Sequence, residues 1–169
     1  MNYKEPKNFE DILNLQAILD CNINNKRERT LEDIKLSLIA EIIEFNEETK
    51  DSHKTWKTKE INKEAQLEEL TDVWFFAAQL VNYYENEKNL TLLEIDKLNE
   101  VFANNDGYVY VDVLTIIFEL RFLRFDWLKF FIKKLIDLTN EYGYTTNDIL
   151  KCYWKKWQKN MQRIGKEWN

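Results

Sequence analysis

The sequence predicts an all-α protein, a bundle of long helices. Three observations carry this. Only three Gly and one Pro occur in 169 residues, too few breakers for a turn-rich β fold. Apolar residues recur at helical spacing along most of the chain. Thr30 with Asp33, and Thr91 with Glu94, have the spacing of capping boxes at helix starts. Hydrophobic residues are 44% and charged residues 32%, a globular composition and not a disordered one.

The elements follow in order. Phe9 to about Asp20 reads as a first helix, with Ile12, Leu15 and Leu19 as its stripe. Thr30 caps a second helix that runs to about Lys50, with Leu31, Ile34, Leu38, Ile42 and Phe45 inward. The polar segment SHKTWKTKEIN reads as a loop or a short, poorly packed helix. A third helix covers about Glu64 to Tyr84, and ENEKN connects it to a fourth starting at Thr91. NNDGY around Gly107 is the clearest turn signal. The stretch from Val111 to Gly143 is one bent helix or two helices broken near Arg124. Val109 to Ile117 is β-branched enough to resemble a strand, but its surroundings favour helix. Gly143 ends this region, and TTN opens a last helix to about Lys166. No repeat or linker divides residues 1–169, so one domain is expected.

Composition also narrows the partners. A net charge of −6 disfavours direct binding of DNA or RNA, which calls for a basic surface. Cys21 and Cys152 have no metal-ligand spacing and read as reduced thiols of a cytoplasmic protein. No signal peptide and no membrane-spanning apolar run is expected. The lone His53 lies in polar surroundings and reads as a surface histidine.

Two acidic pairs carry the chemistry. Glu41 and Glu44 stand three apart on the second helix, and Glu69 and Asp72 three apart on the third. That spacing sets both carboxylates of a pair on one side of a helix. Periodicity puts Glu69 on a stripe with Ala65, Val73, Phe76 and Leu80, with Asp72 at its edge, and sets Glu41 beside the second helix's stripe. Carboxylates gathered at a core edge repel one another and lose hydration, a cost of several kcal/mol without compensation. Lys/Arg salt bridges, protonation or a metal ion would compensate. All-oxygen ligands favour Mg²⁺, or Mn²⁺, over zinc.

The last helix carries a second constellation. Leu150, Trp154, Trp157, Met161 and Ile164 form an apolar stripe, and Tyr153, Lys156, Asn160 and Arg163 a polar one beside it. The polar stripe offers the donors a polyphosphate needs; taken alone, it reads first as a solvated helix face.

The residues then take on a family likeness. LNLQAILD, EIIEF, EELTDVWFF and YWKKWQKNMQR, in that order, resemble the motifs of the all-α nucleoside triphosphate pyrophosphatases, and within them the dimeric dUTPases. The resemblance implies the all-α pyrophosphatase fold and hydrolysis of dUTP to dUMP and pyrophosphate, limiting uracil incorporation into DNA. It implies Glu41, Glu44, Glu69 and Asp72 as Mg²⁺ ligands, with one of the first pair, Glu41 ahead of Glu44, also polarising the attacking water as the catalytic residue. Gln16 and Asp20 match positions near the nucleoside, and Trp56 with Lys57 a segment that covers the base. Tyr153, Lys156, Asn160 and Arg163 match the phosphate- and sugar-binding face. Asp20 and Phe75 replace the Asn and His often found there. Uracil selectivity calls for partners to the base edge and a tight pocket, and the sequence does not reveal which residues supply them.

The resemblance further implies a homodimer, dUTP as substrate with dUDP as a second candidate, and a repressor protein as a candidate partner. Two rival readings follow: a MazG-like pyrophosphatase for other nucleotides, and a helical interaction module built on FELRFLRFDWLKFF.

Overall fold

A computed structural model describes residues 3–23, 25–58, 60–88, 91–104, 107 and 109–165. Among them are seven α-helices and one 3₁₀ turn, with no strand. The helices are α1 (Phe9–Asn22), α2 (Leu31–Glu47), α3 (Lys63–Lys88), α4 (Leu92–Ala103), α5 (Val113–Phe122), α6 (Leu128–Glu141) and α7 (Thr146–Arg163). The 3₁₀ turn, Phe125–Trp127, stands between α5 and α6.

Capping chemistry sets the helix starts. Thr30–Asp33, Thr91–Glu94 and Thr145–Asp148 form reciprocal capping boxes. Asn8 and Asp112 cap α1 and α5 with single side-chain acceptors. Gly143 closes α6 at φ +82°, the left-handed conformation that favours glycine. Its N–H then reaches Asn140 O at 2.9 Å, and that of Tyr144 reaches Thr139 O at 3.1 Å.

The predicted elements need several corrections. ENEK is not a connector: α3 continues to Lys88, because nothing before Asn89 breaks it and Tyr84 is anchored. Asn89 lies outside the described residues, as do Asn105, Asp106 and Tyr108 of the NNDGY turn and Lys166. Gly107 itself has φ +79°. The second helix ends at Glu47. The SHKTWKTKEIN segment is turns and extended chain in its described part. Of the two forms expected for residues 111–143, two separate helices are found. The break at Leu123 is held in place, since its carbonyl accepts from Tyr84 Oη at 3.1 Å and Lys35 Nζ at 3.3 Å.

Helix α3 runs through the middle and packs on α2, α7, α1 and α6. Its deepest stripe is Leu70, Val73, Trp74, Ala77 and Val81. Of the expected stripe, Val73 and Leu80 are fully buried. Ala65 and Phe76 are only half-buried, on the flank they share with Glu69. A central helix buries more than one face, and periodicity alone does not rank them. Trp74 is the hub: its ring meets Phe9 and Phe102 edge-on at 5.9 and 5.4 Å, and Nε1 donates to Thr139 Oγ1 at 3.1 Å. Helices α1, α3, α4 and α6 are thereby locked together. Trp157 Nε1 donates to Leu15 O at 2.7 Å and fastens α7 to α1.

Candidate active site

The site forms where α2, α3 and α7 meet. Ile34, Leu38, Ile42 and Phe45 pack α2 into the core, which turns the neighbouring Glu41 toward α3. Gln66 Nε2 donates to Glu48 O at 3.0 Å and ties the start of α3 to the end of α2. Glu69 and Asp72 follow one helical turn apart. Carboxylate oxygens of Glu41, Glu69 and Asp72 lie within 4.8 Å of one another. Glu44 stays exposed on the rim, outside this group.

Helix α7 closes the third side. Tyr153 stacks on Phe75 at 3.9 Å between ring centres, with planes 11° apart. One turn later Lys156 forms an ion pair with Asp72, and its ammonium also donates to Glu68 O at 3.1 Å.

The charges do not balance. Burial, followed by repulsion from Asp72, Glu44 and Glu69, pushes Glu41 up to about 7. Glu69 and Asp72 are also raised, chiefly by burial. Lys156 opposes all three shifts, one ammonium against three carboxylates. The unmet negative charge, presented by hard oxygen donors alone, fits a divalent cation of the Mg²⁺ or Mn²⁺ class.

A cavity of about 350 Å³ opens beside this group. Glu41 and Asp72 line it, together with Gln16, Asp20, Arg29, Gln79 and Asn160, and with Phe75 and Phe76 as apolar walls. A directed chain of hydrogen bonds runs through it. The buried Tyr153 hydroxyl donates to Gln16 Oε1 at 2.7 Å. Gln16 Nε2 donates to Asp20 Oδ1 at 2.8 Å, and Gln79 Nε2 donates to the same oxygen at 2.7 Å. The arrangement sets an acidic group that could hold a cation beside a polar cavity, a combination suited to cleavage of a nucleoside triphosphate.

The sequence model of the dUTPase family matches residues 8–168, which takes in every one of the four motif blocks. The chain belongs to the dUTPase family. Its activity is dUTP hydrolysis, that of a dUTP diphosphatase. dUTPases of this family generally depend on a divalent metal, and the acidic group gives this one a place for it. No curated protein matches the chain. No described helix is long and apolar enough to cross a membrane.

The dUTPase fold gathers some expected residues and separates others. Gln16, Asp20, Glu41, Asp72 and Asn160 share the cavity. Glu69 joins the carboxylates, and Lys156 sits on Asp72. Tyr153 is fully buried with its hydroxyl turned onto Gln16, so it leaves the polar stripe on which the sequence placed it. Arg163 is exposed at the last residue of α7. Trp56 is 74% exposed and Lys57 pairs with Glu47 at 3.0 Å, both away from the cavity wall. His53 is exposed, as expected, with Nδ1 2.9 Å from Asn46 Oδ1.

Sequence reasoning missed Arg29 and Gln79. The only signal for Gln79 was a single amide inside the apolar run WFFAAQLV. A buried amide requires hydrogen-bond partners, so its presence there marks a polar contact within the core. Arg29 sits just before the Thr30 cap and carried no signal of its own.

Proposed function

We propose that the reaction is Mg²⁺-dependent hydrolysis of dUTP to dUMP and pyrophosphate, limiting uracil incorporation into DNA. One observation carries this reading: three carboxylates of α2 and α3 converge beside a polar cavity, with Lys156 as their counter-charge. Glu41, Glu69 and Asp72 hold the ion, and Glu44 joins from the rim. When bound, the cation supplies Lewis-acid activation of a water and neutralises phosphate charge. Glu41 orients the attacking water and accepts its proton, a role open to a carboxylate that lines the cavity. Lys156, Asn160 and Arg163 bind the triphosphate and offset charge on the leaving pyrophosphate. Gln16 and Asp20 receive the nucleoside, and Tyr153 serves it by holding Gln16. Trp56 and Lys57, on the loop between α2 and α3, cover the nucleotide from outside.

The test is pyrophosphate release from dUTP, dUDP, dCTP, dATP and dTTP, with and without Mg²⁺. Turnover of dUTP above the other triphosphates, lost on chelation, is expected. Metal-independent turnover would sink the Mg²⁺ assignment, and equal turnover of all bases would favour a MazG-like substrate range.

The working unit in this reading is a homodimer. Leu114, Phe118 and Phe122 stand four apart on α5 and are 77%, 66% and 62% exposed. Leu36 and Ile43 of α2, which packs on α5, are also exposed. Such an apolar face suits a second copy. Phe118→Asp is expected to halve the mass seen by sedimentation; a wild-type chain already monomeric at micromolar concentration would refute the dimer. A repressor is a further candidate partner, tested by whether the protein moves a repressor off its operator DNA.

A further inference from the structure

Of the buried side-chain polar atoms among the described residues, Arg29 Nε and Gln79 Oε1 have no hydrogen-bond partner. Both residues line the cavity beside the carboxylates. Gln79 is more than nine-tenths buried, and an unmet buried acceptor is costly to keep. Each atom is spare for a definite reason.

Gln79 cannot exchange its two ends freely. Its Nε2 donates to Asp20 Oδ1, an oxygen that also accepts from Gln16 Nε2, so a turned amide would set its own oxygen against that acceptor. Asp20 is itself oriented by Gln16, which is oriented by Tyr153. The chain of donors therefore fixes which end of Gln79 remains: the carbonyl oxygen. Arg29 is likewise held. Its guanidinium lies over the Phe76 ring at 5.2 Å, and Nη2 donates to Ser37 Oγ at 2.6 Å. Its Nε–H remains as a donor.

We infer that Gln79 and Arg29 read the pyrimidine base: Gln79 Oε1 accepts the imide N3–H, and Arg29 Nε donates to an adjacent base carbonyl. This rests on the reading above, in which the cavity holds the nucleoside of dUTP. An acceptor and a donor match the uracil edge, an N–H between two carbonyls. Cytosine presents a bare N3 in place of that N–H, which would face the Gln79 oxygen lone pair to lone pair. The Asp20 anchor prevents the amide from turning its nitrogen to the base instead. Discrimination thus comes from an amide of fixed polarity, and a site built to bond a substrate N–H rejects an analogue that lacks it more strongly than a pocket sensing size alone.

The experiment compares wild type with Gln79→Met, of similar volume, and Arg29→Lys, which keeps the positive charge without the Nε donor. Values of kcat/KM for dUTP and dCTP are measured with Mg²⁺, together with the affinity of inorganic pyrophosphate plus Mg²⁺. The expected result for Gln79→Met is a fall of about 10²-fold in the dUTP-to-dCTP ratio, with pyrophosphate affinity unchanged. Arg29→Lys should lower kcat/KM for dUTP about tenfold, again without moving pyrophosphate affinity. An unaltered dUTP-to-dCTP ratio in Gln79→Met, from a wild type that turns over dUTP, overturns this inference alone. Equal losses for dUTP, dCTP and pyrophosphate overturn it too, since they mark a structural role. A wild type inactive on dUTP overturns the parent reading, and this one with it.

Discussion

Glu69→Gln is expected to lower Mg²⁺-dependent turnover of dUTP by on the order of 10²–10³-fold while leaving helix content unchanged. The substitution keeps the shape of the side chain and removes one anionic oxygen from the carboxylate group proposed to hold the metal. Folding does not need that charge. Glu69 is raised by burial and by Asp72, so its ionised form is held at a cost in the metal-free protein. Loss of activity should therefore come with unchanged or higher thermal stability in chelator, and with weaker Mg²⁺ binding by calorimetry. Circular dichroism and pyrophosphate release check both sides. Full activity in Glu69→Gln would remove this residue from the metal site.

The second large effect is a dependence of stability on pH that metal should reverse. Glu41 goes from an ordinary 4.5 to about 7 on folding, and Glu69 and Asp72 shift the same way. The folded state therefore binds more protons than the unfolded state across this window. Stability contributed by these groups is complete below about pH 4.5 and is lost as pH rises through about 7. Glu41 is partly exposed to solvent, which reduces its share to about 1–2 kcal/mol. The paired and capping carboxylates act oppositely. Glu47, Asp33, Glu94 and Asp148 are all lowered, so their contribution is lost only as pH falls below the ordinary carboxylate range. In chelator, the melting temperature should fall between pH 5 and pH 8. Added Mg²⁺ should raise it at pH 8 and hardly at pH 5, because a ligand that binds only the folded, deprotonated site stabilises that state. Glu41→Gln should flatten the slope and blunt the response to Mg²⁺. A metal-free protein whose stability rises from pH 5 to pH 8 would contradict the convergence of these carboxylates.

Much of this site was legible because it is local. Helix geometry fixes the i, i+3 relation within each acidic pair, whatever surrounds it. The Thr30 and Thr91 capping boxes are equally local and stand where the spacing put them. Gln79 was hidden because its meaning depends on Asp20, 59 positions away. Tyr153 was grouped with the polar stripe of α7 because its burial depends on a contact from another helix, the stacking of Phe75 from α3.

The sequence by itself determined an all-helical chain, the two carboxylate pairs and a family whose motifs run in order from Leu13 to Arg163. Which carboxylates cooperate was decided by tertiary packing. Three residues along a helix amount to a rotation of about 60°, enough to leave Glu44 on the rim once α2 has seated Glu41 against α3. On α3 both members stay engaged, because that helix lies between α2 and α7 and Asp72 meets Lys156 on the second side. Periodicity records angles within one helix, and the orientation of one helix toward another is set only when their apolar faces are buried together.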